Sequence, residues 1–257
     1  MLRGEGMRIM DVLGGRAKLG VLIPSTNTVV EAEYVQMVPE GVTVHSGRIY
    51  IGRPQLHSDD ATNDLLEDVR IGVPAAVRDV VTLEPDAILM AMSAPTFYGG
   101  LDGCLAYEES ISAQAGGHIP VVSGPRALLD GLKALAVTRI AILSPYQPVN
   151  DRQVIDFFEG QGIEITQYHG LRSTTATAIA RTSPDEVREL LTALAGTGPE
   201  AIVQVGTNLP MVRMADEAER WLRLPVLAIN AVTMWSALRR LGIKDQAGGF
   251  GALLRDH

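Results

Sequence analysis

The patterning of the chain encodes an α/β protein of two similar lobes, each a four-stranded parallel sheet flanked by helices. Three observations carry that reading. Short runs rich in Val and Ile alternate with stretches of helical periodicity, as in strands buried on both faces and joined by helical crossovers. The second half of the chain weakly repeats the first. Residues just after several runs are small, polar and turn-forming, as expected where ligands meet the carboxyl ends of parallel strands.

Taken in order, the first strand falls at 18–23, where Leu19-Gly20-Val21-Leu22-Ile23 is an unbroken apolar run. A helix follows at 27–37, opening on residues that cap free N–H groups. Strand 42–51 leads to a long helix at 60–82. Strand 86–92 runs into a polar turn and a helix at 102–115, and strand 120–123 into a helix at 125–136. The second half gives strands at 139–144, 164–169, 201–206 and 225–229, with helices at 149–160, 184–195, 210–222 and 231–241.

The repeat sets the organisation. Lys18-Leu19-Gly20-Val21-Leu22-Ile23-Pro24-Ser25 is echoed by Arg139-Ile140-Ala141-Ile142-Leu143-Ser144-Pro145, an offset of 121 (18 to 139). Asp86-Ala87-Ile88-Leu89-Met90 is echoed by Glu200-Ala201-Ile202-Val203-Gln204, an offset of 114 (86 to 200). Pro120-Val121-Val122 is echoed by Pro225-Val226-Leu227, an offset of 105 (120 to 225). Offsets that shrink in order fit a duplicated unit with small deletions. The chain divides into an N-terminal lobe at 17–118 and a C-terminal lobe at 119–243, with helices free to swap at the boundary. Tails lie at 1–16 and 244–257, and the glycine-rich second one is expected to pack loosely or on a partner subunit of a homo-oligomer.

Composition excludes much. With 46% apolar and 20% charged residues the 257-residue chain can bury a core. Its 22 Lys and Arg against 30 Asp and Glu give a net charge of −8, which repels phosphate backbones and argues against nucleic acid. A single cysteine rules out a disulfide framework, a cysteine zinc site and a two-thiol mechanism. The apolar runs are too short to span a bilayer, and no signal-peptide core opens the chain, so a cytoplasmic protein is expected. Dinucleotide, P-loop, serine-hydrolase elbow and zinc-protease motifs do not occur. His57 beside Asp59 and Asp60 matches no strong ligand spacing and reads as a solvated loop, so no metal is expected.

The polar turns are Pro24-Ser25-Thr26-Asn27-Thr28, Met92-Ser93-Ala94-Pro95-Thr96-Phe97-Tyr98-Gly99-Gly100, Ser144-Pro145-Tyr146-Gln147-Pro148-Val149-Asn150 and Gly206-Thr207-Asn208-Leu209-Pro210. None contains Lys, Arg, Asp or Glu. Hydroxyls, amides and helix-opening N–H groups suit neutral recognition of a small anion.

These turns, with Leu224-Pro225-Val226-Leu227 and Trp235-Ser236-Ala237-Leu238, resemble the Asp/Glu racemase superfamily in its maleate cis-trans isomerase and arylmalonate decarboxylase branch. The likeness covers about residues 17–243. It implies two pseudo-symmetric lobes, an interlobe active site and carbanion-type chemistry on small carboxylates without a cofactor. Typical members place a catalytic cysteine after the third strand, the seventh, or both; the matching positions here are Met92 and Gly206. Arylmalonate decarboxylases lack the first thiol but keep the second as proton donor. Their oxyanion site maps onto Ser93, Ala94, Tyr146 and the N–H of Thr207, and Ala94 brings no hydroxyl.

Other groups that move protons are Tyr98, Tyr146 and His169, the last at the end of a strand. Cys104 falls inside a helical pattern and reads as a core residue. Arg172 is a loop residue weighed as a carboxylate partner, and 172–181 as a segment covering the cleft. The expectation is a cofactor-independent lyase or isomerase on a small mono- or dicarboxylate. Tyr146, Ser93, Thr207 and Gly206 would do the chemistry, while Ser25, Asn27, Met92, Thr96, Tyr98, Asn208 and His169 would hold the substrate. The alternatives are a hydrolase or hydratase with water in the space beside Gly206, or a non-catalytic carboxylate binder.

Overall fold

The structure, a computed structural model, describes residues 11–257. Residues 1–10 of the first tail, and with them most of the N-terminal reading, lie outside the described residues.

The first sheet comprises β1 (Ala17–Pro24), β2 (Val42–Ile49), β3 (Ala87–Met90) and β4 (Val121–Ser123), all parallel, in the order β2-β1-β3-β4. The second comprises β5 (Arg139–Ser144), β6 (Glu164–Gly170), β7 (Ala201–Gln204) and β8 (Val226–Ala228) in the matching order β6-β5-β7-β8. The crossovers within the sheets are α1 (Val30–Met37), α2 (Asp59–Val81), α3 (Gly100–Gln114), α5 (Pro148–Glu159), α6 (Pro184–Ala195) and α7 (Val212–Leu222), while α4 (Gly124–Ala134) links the two sheets and α8 (Ile229–Arg240) follows β8.

The repeat reappears in the hydrogen bonds. Asp86 N–H donates to Lys18 O at 2.8 Å, and its carboxylate accepts from Lys18 N–H. In the other lobe Glu200 N–H donates to Arg139 O at 2.8 Å and its carboxylate accepts from Arg139 N–H. Ile88 N–H to Pro120 O and Ile202 N–H to Pro225 O, both 2.9 Å, close the third echo. Each pair repeats at the offset found in the sequence.

Three expectations need correction. β4 hydrogen-bonds to β3, so the first sheet runs past residue 118 to Ser123. β3 and β7 end at Met90 and Gln204, two residues early, because Met92 and Gly206 leave the ladder to face a cavity. The C-terminal tail is not loose. It forms α9 (Ala252–Asp256), buries Leu253 and Leu254, and sets Phe250 under Arg213 at 4.2 Å. Two short 3₁₀ turns, Ala94–Phe97 and Ile179–Arg181, were also not expected.

The lobes share one hydrophobic cluster, reaching from Leu19 and Leu89 to Ile142 and Val203. A second lies under α2, where Ile49, Val73, Ile88 and Met92 meet. α8 ends the second lobe in sequence but packs on α4, α1, β3 and β4. One face of the first sheet thus shares a core with the second sheet, while its other face packs a cluster of its own under α2. Among the described residues no helix is long and apolar enough to cross a membrane.

Candidate active site

The carboxyl ends of β1, β3, β5 and β7 face one another across the lobe boundary and enclose a cavity. The space open to the centre of a water-sized sphere is about 80 Å³, enough for several waters or one compact acid. Its apolar lining includes Ile51, Leu56, Leu65, Val69, Met92 and Ile179, and its polar lining is Thr26, Asn27, Ser93, Tyr146, Asn150, Thr207 and Asn208. No charged side chain, imidazole or thiol is in the lining.

Pseudo-equivalent positions supply part of the lining. The 114-residue offset relates Met92 to Gly206 and Ser93 to Thr207, and the 121-residue offset relates Ser25 to Tyr146. Ser93 Oγ and the Tyr146 hydroxyl hydrogen-bond each other across the boundary. Burial pushes the Tyr146 phenol up, against a smaller opposing pull from Ser93, so it is a neutral donor. The backbone N–H groups of Ser93 and Thr207 have no acceptor among the described residues. They complete a set of neutral donors suited to an oxyanion.

Tyr146 is held at both ends of its backbone by one buried carboxylate. Its N–H donates to Ser144 Oγ at 3.0 Å, and Ser144 donates in turn to Asp151 Oδ1 at 3.1 Å. Its C=O accepts from Arg172 Nη1 at 2.7 Å, and Arg172 pairs with Asp151 Oδ2. Tyr168 OH adds a bond to Asp151 Oδ1 at 2.6 Å. Arg172 is thus committed inside its own lobe and does not face the cavity.

The other expected residues fall into two groups. Met92, Gly206, Asn27, Thr207 and Asn208 join Ser93 and Tyr146 in the lining, but most of their polar atoms are spent on joining the lobes. Asn27 Oδ1 caps α1 through Val29 and Val30 N–H, and its Nδ2 donates to Thr207 Oγ1 at 3.3 Å. The Thr207 hydroxyl donates to Ala91 O at 3.0 Å. Asn208 accepts from Thr28 N–H and donates to Ala176 O at 2.8 Å. These two asparagines follow β1 and β7, which the repeat does not relate. Ser25, Thr96, Tyr98 and His169 stand outside the lining. Ser25 Oγ accepts from Ile51 N–H, Thr96 Oγ1 donates to Ser93 O, Tyr98 OH donates to Asn150 Oδ1, and His169 lies half-buried on the edge strand β6.

Gly206 leaves no room for a side chain of its own. Its φ is +98°, and a Cβ there would stand 2.5 Å from Pro145 Cδ. Cys104 is buried away from the cavity, 3.2 Å from Ser123 Oγ, and burial pushes its thiol up. His57, Asp59 and Asp60 are exposed beside the Ser58 cap of α2. Among the described residues no group of three or more His, Cys, Asp or Glu gathers as a metal site.

Segment 172–181 meets residues 54–56 beside the cavity. Gln55 and Thr175 form an antiparallel bridge. Leu56 N–H donates to Thr174 O at 2.9 Å and Ala176 N–H to Pro54 O at 2.8 Å. Leu56, Ala176 and Ile179 from this clasp line the cavity. Asn150, which sequence reasoning did not single out, lines it too.

Paired α/β lobes closing on an uncharged, donor-rich cavity define a class of two-lobed proteins. The chain belongs to the arylmalonate decarboxylase family, which it matches over residues 19–254. It is 28% identical to the maleate isomerase of Geobacillus stearothermophilus, covering 92% of this chain and 96% of that one. It is 24% identical to the arylmalonate decarboxylase of Bordetella bronchiseptica, covering 91% and 95%. The fold matches, with a TM-score of 0.84 and 24% identity over 93% of this chain and 98% of that one, a cysteine-to-serine variant of Nocardia farcinica maleate cis-trans isomerase. That variant carries a covalently bound succinylcysteine intermediate.

Proposed function

We propose that the chain is a cofactor-independent enzyme of decarboxylase type, acting on a small carboxylate in the interlobe cavity. One observation carries this reading. The Ser93 and Tyr146 hydroxyls and the N–H groups of Ser93 and Thr207 converge where no charged side chain stands. Relatives named as maleate isomerases and an arylmalonate decarboxylase support it.

In the proposed step the bond from carbon to one carboxylate breaks. Its electron pair moves into the remaining carboxylate, which becomes an enediolate, and CO₂ departs. Charge grows on the oxygens only as the bond breaks. Fixed neutral donors there favour the transition state over the ground state. The carbanion then takes a proton. The lining holds no thiol, imidazole or carboxyl side chain, which leaves the Tyr146 phenol or water to deliver it.

The test offers methylmalonate and phenylmalonate in D₂O, with maleate as the isomerase arm. The expected result is CO₂ release with deuterium at the former carboxylate-bearing carbon. Conversion of maleate alone would overturn the decarboxylase assignment. Binding without any turnover would make the protein a carboxylate binder.

A further inference from the structure

We infer that Asn150, set in place by Tyr98, is a second ligand-binding residue of the cavity, donating to the end of the acid that Ser93, Tyr146 and Thr207 do not hold. This rests on the reading of the cavity as a small-acid site.

Asn150 stands in the first turn of α5, is 4% exposed and lines the cavity. Tyr98, from the other lobe, donates its hydroxyl to Asn150 Oδ1 at 2.8 Å. That bond decides which end of the amide is free. Asn150 Nδ2 has no acceptor among the described residues, yet it is not among the sealed polar atoms of the interior. It therefore opens on the cavity. An amide N–H withdrawn from water without an acceptor is unfavourable, and a ligand oxygen would satisfy it. Its place in the first turn of a 12-residue helix adds the positive end of the α5 dipole.

The rest of the lining sharpens the assignment. The aliphatic residues of the lining offer no donor. Asn208 spends its amide on Ala176 O, and Asn27 bonds Thr207. A second carboxylate on a compact acid thus meets Asn150 as the buried amide whose donors are uncommitted. Burial, together with the charge of Asp59, raises the Tyr98 phenol, which keeps it a donor.

The experiment compares two probes that differ by one carboxylate, propionate and succinate, neither of which carries the geminal carboxylates the proposed step needs, by NMR titration of the full chain. Wild type should bind succinate more tightly. Asn150→Ala should weaken succinate by about ten- to a hundredfold, the range for a hydrogen bond to a charged group, and leave propionate unchanged. Asn150→Asp, with a like charge in the same shape, should abolish succinate binding. Tyr98→Phe removes only the hydroxyl that orients the amide. It should weaken succinate severalfold, and it keeps the test valid if an Asn150 variant fails to fold. Equal effects on both probes, or none, would overturn the assignment of Asn150 and leave the small-acid reading intact. Failure of wild type to bind either probe would overturn both.

Discussion

Pro145 fills the place that a side chain on Gly206 would need. The two residues lie just beyond neighbouring strands of the second sheet, β5 and β7. An added Cβ would lie 2.5 Å from Pro145 Cδ, at a φ of +98°. Gly206→Cys should therefore destabilise the protein by roughly 2–4 kcal/mol, from left-handed strain and overpacking together. Urea unfolding measures this. A neutral Gly206→Cys would mean that the β7 turn yields easily, and that a thiol could be added here without rebuilding Pro145.

Tyr146→Phe keeps the ring and deletes one donor. Under the proposed chemistry turnover should fall by about 10²–10³, typical of removing a preorganised oxyanion donor. The melting temperature should hardly move. Steady-state kinetics with the substrate that proves active decides it, and full turnover would transfer the role to Ser93 and the backbone N–H groups.

Asp151 ties Ser144, Tyr168 and Arg172 to the backbone of Tyr146. Asp151→Ala leaves Arg172 unpaired and strands two hydroxyls. Because Arg172 is half-exposed, the loss should be about 2–3 kcal/mol rather than the full cost of breaking a buried pair. A variant as stable as wild type would show that the network does not hold the turn.

Glu33 on α1 accepts from Met211 and Val212 N–H at the start of α7 and from Asn230 Nδ2 at 2.6 Å. Burial raises its carboxyl nonetheless, outweighing those bonds. A raised folded-state value means that the native protein holds this proton more tightly than the unfolded chain does. The associated stability is present below about 4.5 and is lost as pH rises through the folded value. The melting temperature of wild type relative to Glu33→Gln should fall as pH climbs above 4.5. A difference independent of pH would refute this.

Cys104 is expected to be silent. Cys104→Ser should retain activity, and iodoacetamide should leave the native protein active, since burial keeps the thiol protonated. Stoichiometric inactivation that substrate prevents would place the thiol in the mechanism.

The strands were legible because parallel strands buried on both faces are written as continuous apolar runs, and the repeat tied them in pairs. The polar turns around Ser93 and Tyr146 were legible for the same reason, as they end those runs. What each turn atom does was not. Whether Asn208 serves a ligand or Ala176 O depends on a partner far along the chain. Pro145 against Gly206 is likewise a meeting of two turns that no local pattern announces. Asn150 left one trace, a polar residue in the opening turn of a helix, which reads equally well as capping.

The two halves supply Ser93 and Thr207 from related positions, but only one supplies a phenol. Tyr146 faces the cavity, while its counterpart Ser25 turns back to Ile51 N–H. A molecule with two identical ends would lose that equivalence on binding. One end would lie against Tyr146, the other would not, and the faces of any planar intermediate would be told apart before a proton arrived.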